Sequence, residues 1–145
     1  MTKRRQKVTR RQVLAGAGAG AATASGGALK LGSSVAHAAD VSFGTDILPL
    51  INRQCVICHM PGGEQGDLGL YPDAFGALVG VPSGQSPLLL IEPGSAERSY
   101  LYRKLVRTQD AAGGSGVRMP FQRDPLDAAQ IESFRLWIEQ GAKRK

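Results

Sequence analysis

Apolar residues recur at helical spacing in three places along the chain, and the polar residues around them mark where each helix begins and ends. The clearest case comes last: Ile131, Phe134 and Ile138 fall three to four residues apart, joined by Trp137. Asp127 is a good N-cap for that helix, with Gln130 at the capping-box position and Gly141 as its stop. Earlier, Ile47, Leu48, Leu50 and Ile51 form an apolar face running up to Cys55. Thr45 is the expected cap, Asp46 suits the positive helix end, and Pro49 falls in the first turn, where proline is tolerated. A middle helix is expected to start near Ser95, after Pro93-Gly94, and to run through Tyr100, Leu101 and Leu105. A short helix is expected within residues 71–79. Residues 88–91, Leu-Leu-Leu-Ile, read as strand or extended wall. Two Gly-rich stretches, residues 60–66 and 110–116, read as loops.

The first 38 residues follow a different pattern. They hold Lys3, Arg4, Arg5, Lys7, Arg10, Arg11 and Lys30, and no acid. Thr9-Arg10-Arg11-Gln12-Val13-Leu14 resembles a twin-arginine export signal. Residues 13–29 are mostly Ala and Gly, too weakly apolar for a permanent span, which needs about 20 strongly apolar residues. Ala36-His37-Ala38 provides a small-x-small cleavage site before Ala39. The expected organisation is therefore a cleaved leader, residues 1–38, and one domain, residues 39–145, released into the periplasm without a permanent membrane span.

Locating the charge changes its meaning. The whole chain carries +6, but seven of its 18 basic residues lie in the leader. The remaining 11 face 12 acids, so the domain itself is formally −1. A nucleic-acid-binding surface is not supported by that balance.

Cys55-Val56-Ile57-Cys58-His59 carries the chemistry. Two thiols three residues apart can each add to one vinyl group of a single porphyrin, which brings the next histidine to the iron; C-x-x-C-H reads as covalent haem attachment. A structural zinc site needs about four ligands, and residues 39–145 offer only these three Cys and His side chains. A thioredoxin-type pair wants a βαβ context, which the pattern lacks. The second axial ligand follows by elimination. His37 and Met1 belong to the leader, and Met60 adjoins His59, so Met119 is the remaining free Met or His. Pro120 stiffens its loop. A lysine ligand or an open iron position stays open at this point.

The chain resembles class I c-type cytochromes, over about residues 43–142. Besides the haem motif, the resemblance rests on Met119-Pro120, on Trp137-Ile138-Glu139-Gln140-Gly141-Ala142, and on Pro93-Gly94 followed by Ser99-Tyr100-Leu101-Tyr102. It implies an all-α fold in which the first and last helices cross beside one covalent haem c, ligated by His59 and Met119. It also implies single-electron transfer rather than enzyme catalysis, with redox proteins as partners: a donor dehydrogenase and an acceptor oxidase or cytochrome. The protein would then be either a free shuttle or a subunit of an exported dehydrogenase. The rival is a haem enzyme or gas sensor with an open distal position.

Lesser signals carry their own expectations. Trp137 reads as a core anchor rather than an electron relay. Tyr100, Tyr102 and Arg103 are candidate donors to haem propionates. Lys143-Arg144-Lys145 reads as a solvated tail beyond the last helix. His59 is expected to donate its second ring nitrogen to a backbone carbonyl within residues 61–70.

Overall fold

The computed structural model describes residues 40–62 and 67–145. The twin-arginine segment, the cleavage site and part of the first Gly-rich loop lie outside the described residues.

The chain opens with a wide helical turn, Phe43–Ile47, that runs into helix α1, Leu48–Gln54. The cap is Ser42, not Thr45. The Ser42 hydroxyl accepts from the Thr45 amide, and the Asp46 carboxylate accepts from the Ser42 amide at 2.8 Å. This reciprocal pairing starts the helical path one turn earlier than expected, which lets Phe43 join Ile47, Leu50 and Ile51 in the core. Pro49 sits in the first turn of α1, as expected.

Helix α2, Ala74–Leu78, is shorter than residues 71–79 and begins where the Asp73 carboxylate accepts from the Gly76 amide. Residues 88–91 form an extended strip. Isolated bridges pair Ile91 with Val79 and Leu89 with both Pro82 and Ser99. Ile91 is fully buried, while Leu90 is half-buried.

That strip also explains where the middle helix starts. Helix α3 is Tyr100–Leu105 and does not begin at Ser95. The Tyr100 and Leu101 amides, which have no partner inside the helix, donate to the Leu89 and Leu90 carbonyls at 2.9 and 3.0 Å. Residues 95–99 instead form turns closed by the buried Ser99 hydroxyl, which donates to the Ser95 carbonyl and accepts from the Glu92 amide.

Helix α4, Ala128–Glu139, has the expected capping box: Asp127 accepts from the Gln130 amide at 2.8 Å, and Gln130 accepts from the Asp127 amide at 3.1 Å. Gly141, at φ +97°, turns the chain out of the helix. Phe134, Trp137 and Ile138 are its buried residues. The N-terminal turn and α3 both pack on α4. The Phe43 ring lies 5.3 Å from Trp137 and 5.2 Å from Phe75 of α2. The first helical segment thus meets the last one through the Phe43–Ile47 turn. Among the described residues the chain is partly helical, with strand pairing confined to isolated bridges, and no helix is long and apolar enough to cross a membrane.

Candidate functional site

The residues after α1 wind tightly. The Cys55 and Val56 amides both donate to the Ile51 carbonyl, at 2.8 and 3.1 Å, and the His59 amide is shared between the Cys55 and Val56 carbonyls. This coil sets Cys55, Cys58 and His59 against one large, mostly apolar cavity of about 1090 Å³. Its opposite walls come from the Val81–Gln85 stretch, from α3, and from residues 116–121. The volume lies just above the range of about 300–1,000 Å³ common for small-molecule and cofactor sites.

All four residues singled out in the sequence line this cavity: Cys55, Cys58, His59 and Met119. Both thiols are free; Cys55 is half-buried and Cys58 exposed. Burial pushes the Cys55 thiol up to about 11, against the opposing pull of Arg123. Met119 is half-buried and packs against the core. Its amide donates to the Lys104 carbonyl of α3 at 3.2 Å, which fixes the loop to that helix.

His59 is buried, and its Nδ1 donates to the Leu68 carbonyl at 2.9 Å. The acceptor falls inside the expected window. A carbonyl can only accept, so Nδ1 carries the proton and Nε2 of the neutral ring is left with its lone pair. That is the tautomer a metal ligand requires, with the orienting partner usual for such a histidine. The Leu70 amide donates back to the His59 carbonyl at 2.7 Å, so the 67–70 segment is tied to His59 twice.

These features fit a haem. A cavity of sufficient volume has two thiols, an oriented imidazole and a thioether on its walls, and a predominantly apolar lining. Among the described residues, no group of three or more His, Cys, Asp and Glu side chains is gathered to hold a bare metal ion.

The lesser candidates separate. Tyr100 lines the cavity, and its hydroxyl donates to the Ser115 carbonyl. Tyr102 faces the charged side of α4 instead, where burial outweighs the pull of Arg135 and raises its hydroxyl. Arg103 is occupied by Glu97, through its side chain and carbonyl, and by Thr108. Trp137 is buried away from the cavity lining, its Nε1 donating to the Lys143 carbonyl at 2.8 Å, as a core anchor would.

The C-terminal tail is exposed to solvent, as expected, and also makes surface contacts. Arg144 pairs with Asp73 and stacks 4.3 Å from the Phe75 ring, while Lys145 reaches Asp40 and accepts from Ser42 through its carbonyl. The tail meets residues 40–42 because α4 packs on the N-terminal turn.

Two cavity residues were missed by reading the sequence: Lys104 and Arg123. Arg123 donates to the Gln54 side chain at 3.1 Å, beside the haem motif. For Lys104 a signal existed, since it lies four residues after Tyr100 and three after Leu101, on the face of α3 that turns inward.

Comparison with known proteins finds no matching family model, no matching curated protein and no matching solved structure.

Proposed function

We propose that this protein is an exported c-type cytochrome that carries one haem c and passes single electrons in the periplasm. In this reading Cys55 and Cys58 would hold the haem through two thioether links, and His59 and Met119 would ligate its iron. The observation that carries it is the convergence of these four residues on one apolar cavity, with His59 Nδ1 tied to the Leu68 carbonyl.

Haem iron supplies a one-electron couple whose potential responds to ligands, burial and hydrogen bonding. The chain's own residues do the rest. The Leu68 carbonyl holds the imidazole in the ligating tautomer. The link from Met119 to Lys104 holds the thioether loop against α3. The apolar walls limit water around the metal. This reading requires no acid, base or nucleophile acting on a substrate, and in it the protein is an electron carrier rather than an enzyme. Its partners are redox proteins meeting it through a small, transient interface, as a free shuttle or beside an exported dehydrogenase.

The test is a mass measurement. The chain, produced with cytochrome c maturation machinery, should exceed its polypeptide mass by one haem. A variant carrying Cys55→Ala and Cys58→Ala should lose that increment. A native protein with two free thiols and no haem would end this reading.

A further inference from the structure

Lys104 is a charged side chain placed where charge is costly. It is 6 % exposed, although it sits on the wall of the apolar cavity. Its Nζ donates to the Ser115 and Val117 carbonyls, both at 3.1 Å, and lies 5.1 Å from the centre of the Tyr100 ring. An ammonium has three donors, so one N–H has no partner among the described residues. No carboxylate of those residues lies within ion-pair distance. The charge that reaches it is that of Asp110, which lies beyond ion-pair distance, and a buried cation without a contacting anion is unfavourable unless a ligand provides one.

The surroundings keep space beside Nζ. Gly116 stands next to it at φ +77°, and a Cβ there would lie 3.0 Å from Nζ and 3.2 Å from Gln85 Oε1. Arg123 is the cation whose charge acts on Cys55, and Lys104 Nζ lies beside Gly116 and the Tyr100 ring. The cavity therefore has one cation near the thiols and another beside Gln85 and Tyr100.

We propose that Lys104 is the receptor for a carboxylate of the bound cofactor, the haem propionate on the porphyrin edge opposite the thioether-bearing edge. This rests on the haem reading above. In that position Lys104 is a positioning residue: it supplies the missing counter-ion contact and raises the potential, because a nearby positive charge favours ferrous over ferric iron. Its backbone carbonyl, which receives the Met119 amide, is untouched by side-chain substitution.

The test compares haem-bearing wild-type protein with Lys104→Gln and Lys104→Arg. Lys104→Gln should lower the midpoint potential while the axial-ligand spectrum stays unchanged, and Lys104→Arg, which keeps the cation, should restore it. An unchanged potential in Lys104→Gln overturns the proposal, as does a loss that Lys104→Arg fails to repair. Should Lys104→Gln not accumulate, the wild type decides. Nuclear Overhauser contacts are expected in the ferrous protein between the Lys104 Cε protons and the propionate methylenes, and their absence overturns the proposal. A wild-type chain lacking haem would sink the functional reading itself. A chain with haem and an indifferent Lys104 sinks only this inference.

Discussion

His59 and Met119 are held in place by different means. His59 is fixed locally: its amide, its carbonyl and its ring nitrogen all bond to backbone within 11 residues. Met119 lies 60 residues further on and depends on α3, through the single bond to the Lys104 carbonyl and the buried Pro120 beside it. Replacing Met119 with Ala should therefore leave the fold largely intact, at a cost of about 2 kcal/mol or less for a half-buried side chain. In the haem-bearing protein it should open the sixth coordination position. Ferrous protein should then bind carbon monoxide readily, and the midpoint potential should fall, because thioether ligation favours ferrous iron. An unchanged spectrum and unchanged carbon monoxide binding would remove Met119 from the iron and bring forward the open-site enzyme or sensor.

At the scale of elements, short helices stand because something outside them satisfies their ends. Helix α2 has five residues, and Asp73 is both its cap and the partner of Arg144. The hydrogen bond from Arg144, followed by that from the Gly76 amide, holds the Asp73 carboxyl below its ordinary value of 3.8. A carboxyl lowered in the folded state contributes stability above its unfolded value, and that contribution is lost as pH falls through the folded one. Asp73→Ala should therefore lower the melting temperature near neutral pH and make the acid side of the stability profile flatter below about pH 4. Melting curves across pH 2–7 for the two proteins check this, and parallel profiles would show that the pair contributes nothing. Helix α3 illustrates the same dependence differently, since its first two amides are satisfied by Leu89 and Leu90 rather than by a cap. A strip of four apolar residues with no helical period reveals nothing of that in the sequence.

Across the whole of the described structure, Trp137 is where the Phe43–Ile47 turn, α2 and the C-terminal tail meet. Its ring touches Phe43 from the N-terminal turn and Phe75 from α2, while its Nε1 holds the Lys143 carbonyl. Trp137→Phe keeps a ring but removes the donor and part of the volume. The expected cost is about 1–3 kcal/mol in a denaturant melt, from the lost hydrogen bond to the Lys143 carbonyl and a small void in the core. The midpoint potential should stay unchanged, because Trp137 is not among the residues lining the cavity. A large potential shift with unchanged stability would give it the relay role instead.

The sequence by itself determined what is local. Cys55, Cys58 and His59 are adjacent in the chain, so their spacing alone states the chemistry. The α4 capping box and its Gly141 stop are likewise contacts within three or four residues. Elimination also singled out Met119, since composition leaves no other free thioether or imidazole beyond the leader. Only the tertiary structure decided what depends on distant partners. The Ser42 cap displaced Thr45 because burying Phe43 against Trp137 favours an earlier start. The 88–91 strip was settled by backbone pairing with Val79, Pro82 and Ser99, outside any periodic pattern, where a short apolar run fits strand or wall equally. Lys104 shares a helical face with Tyr100 and Leu101 in the sequence, but only the packing of α3 along the cavity strips it of water and leaves it there without a contacting carboxylate.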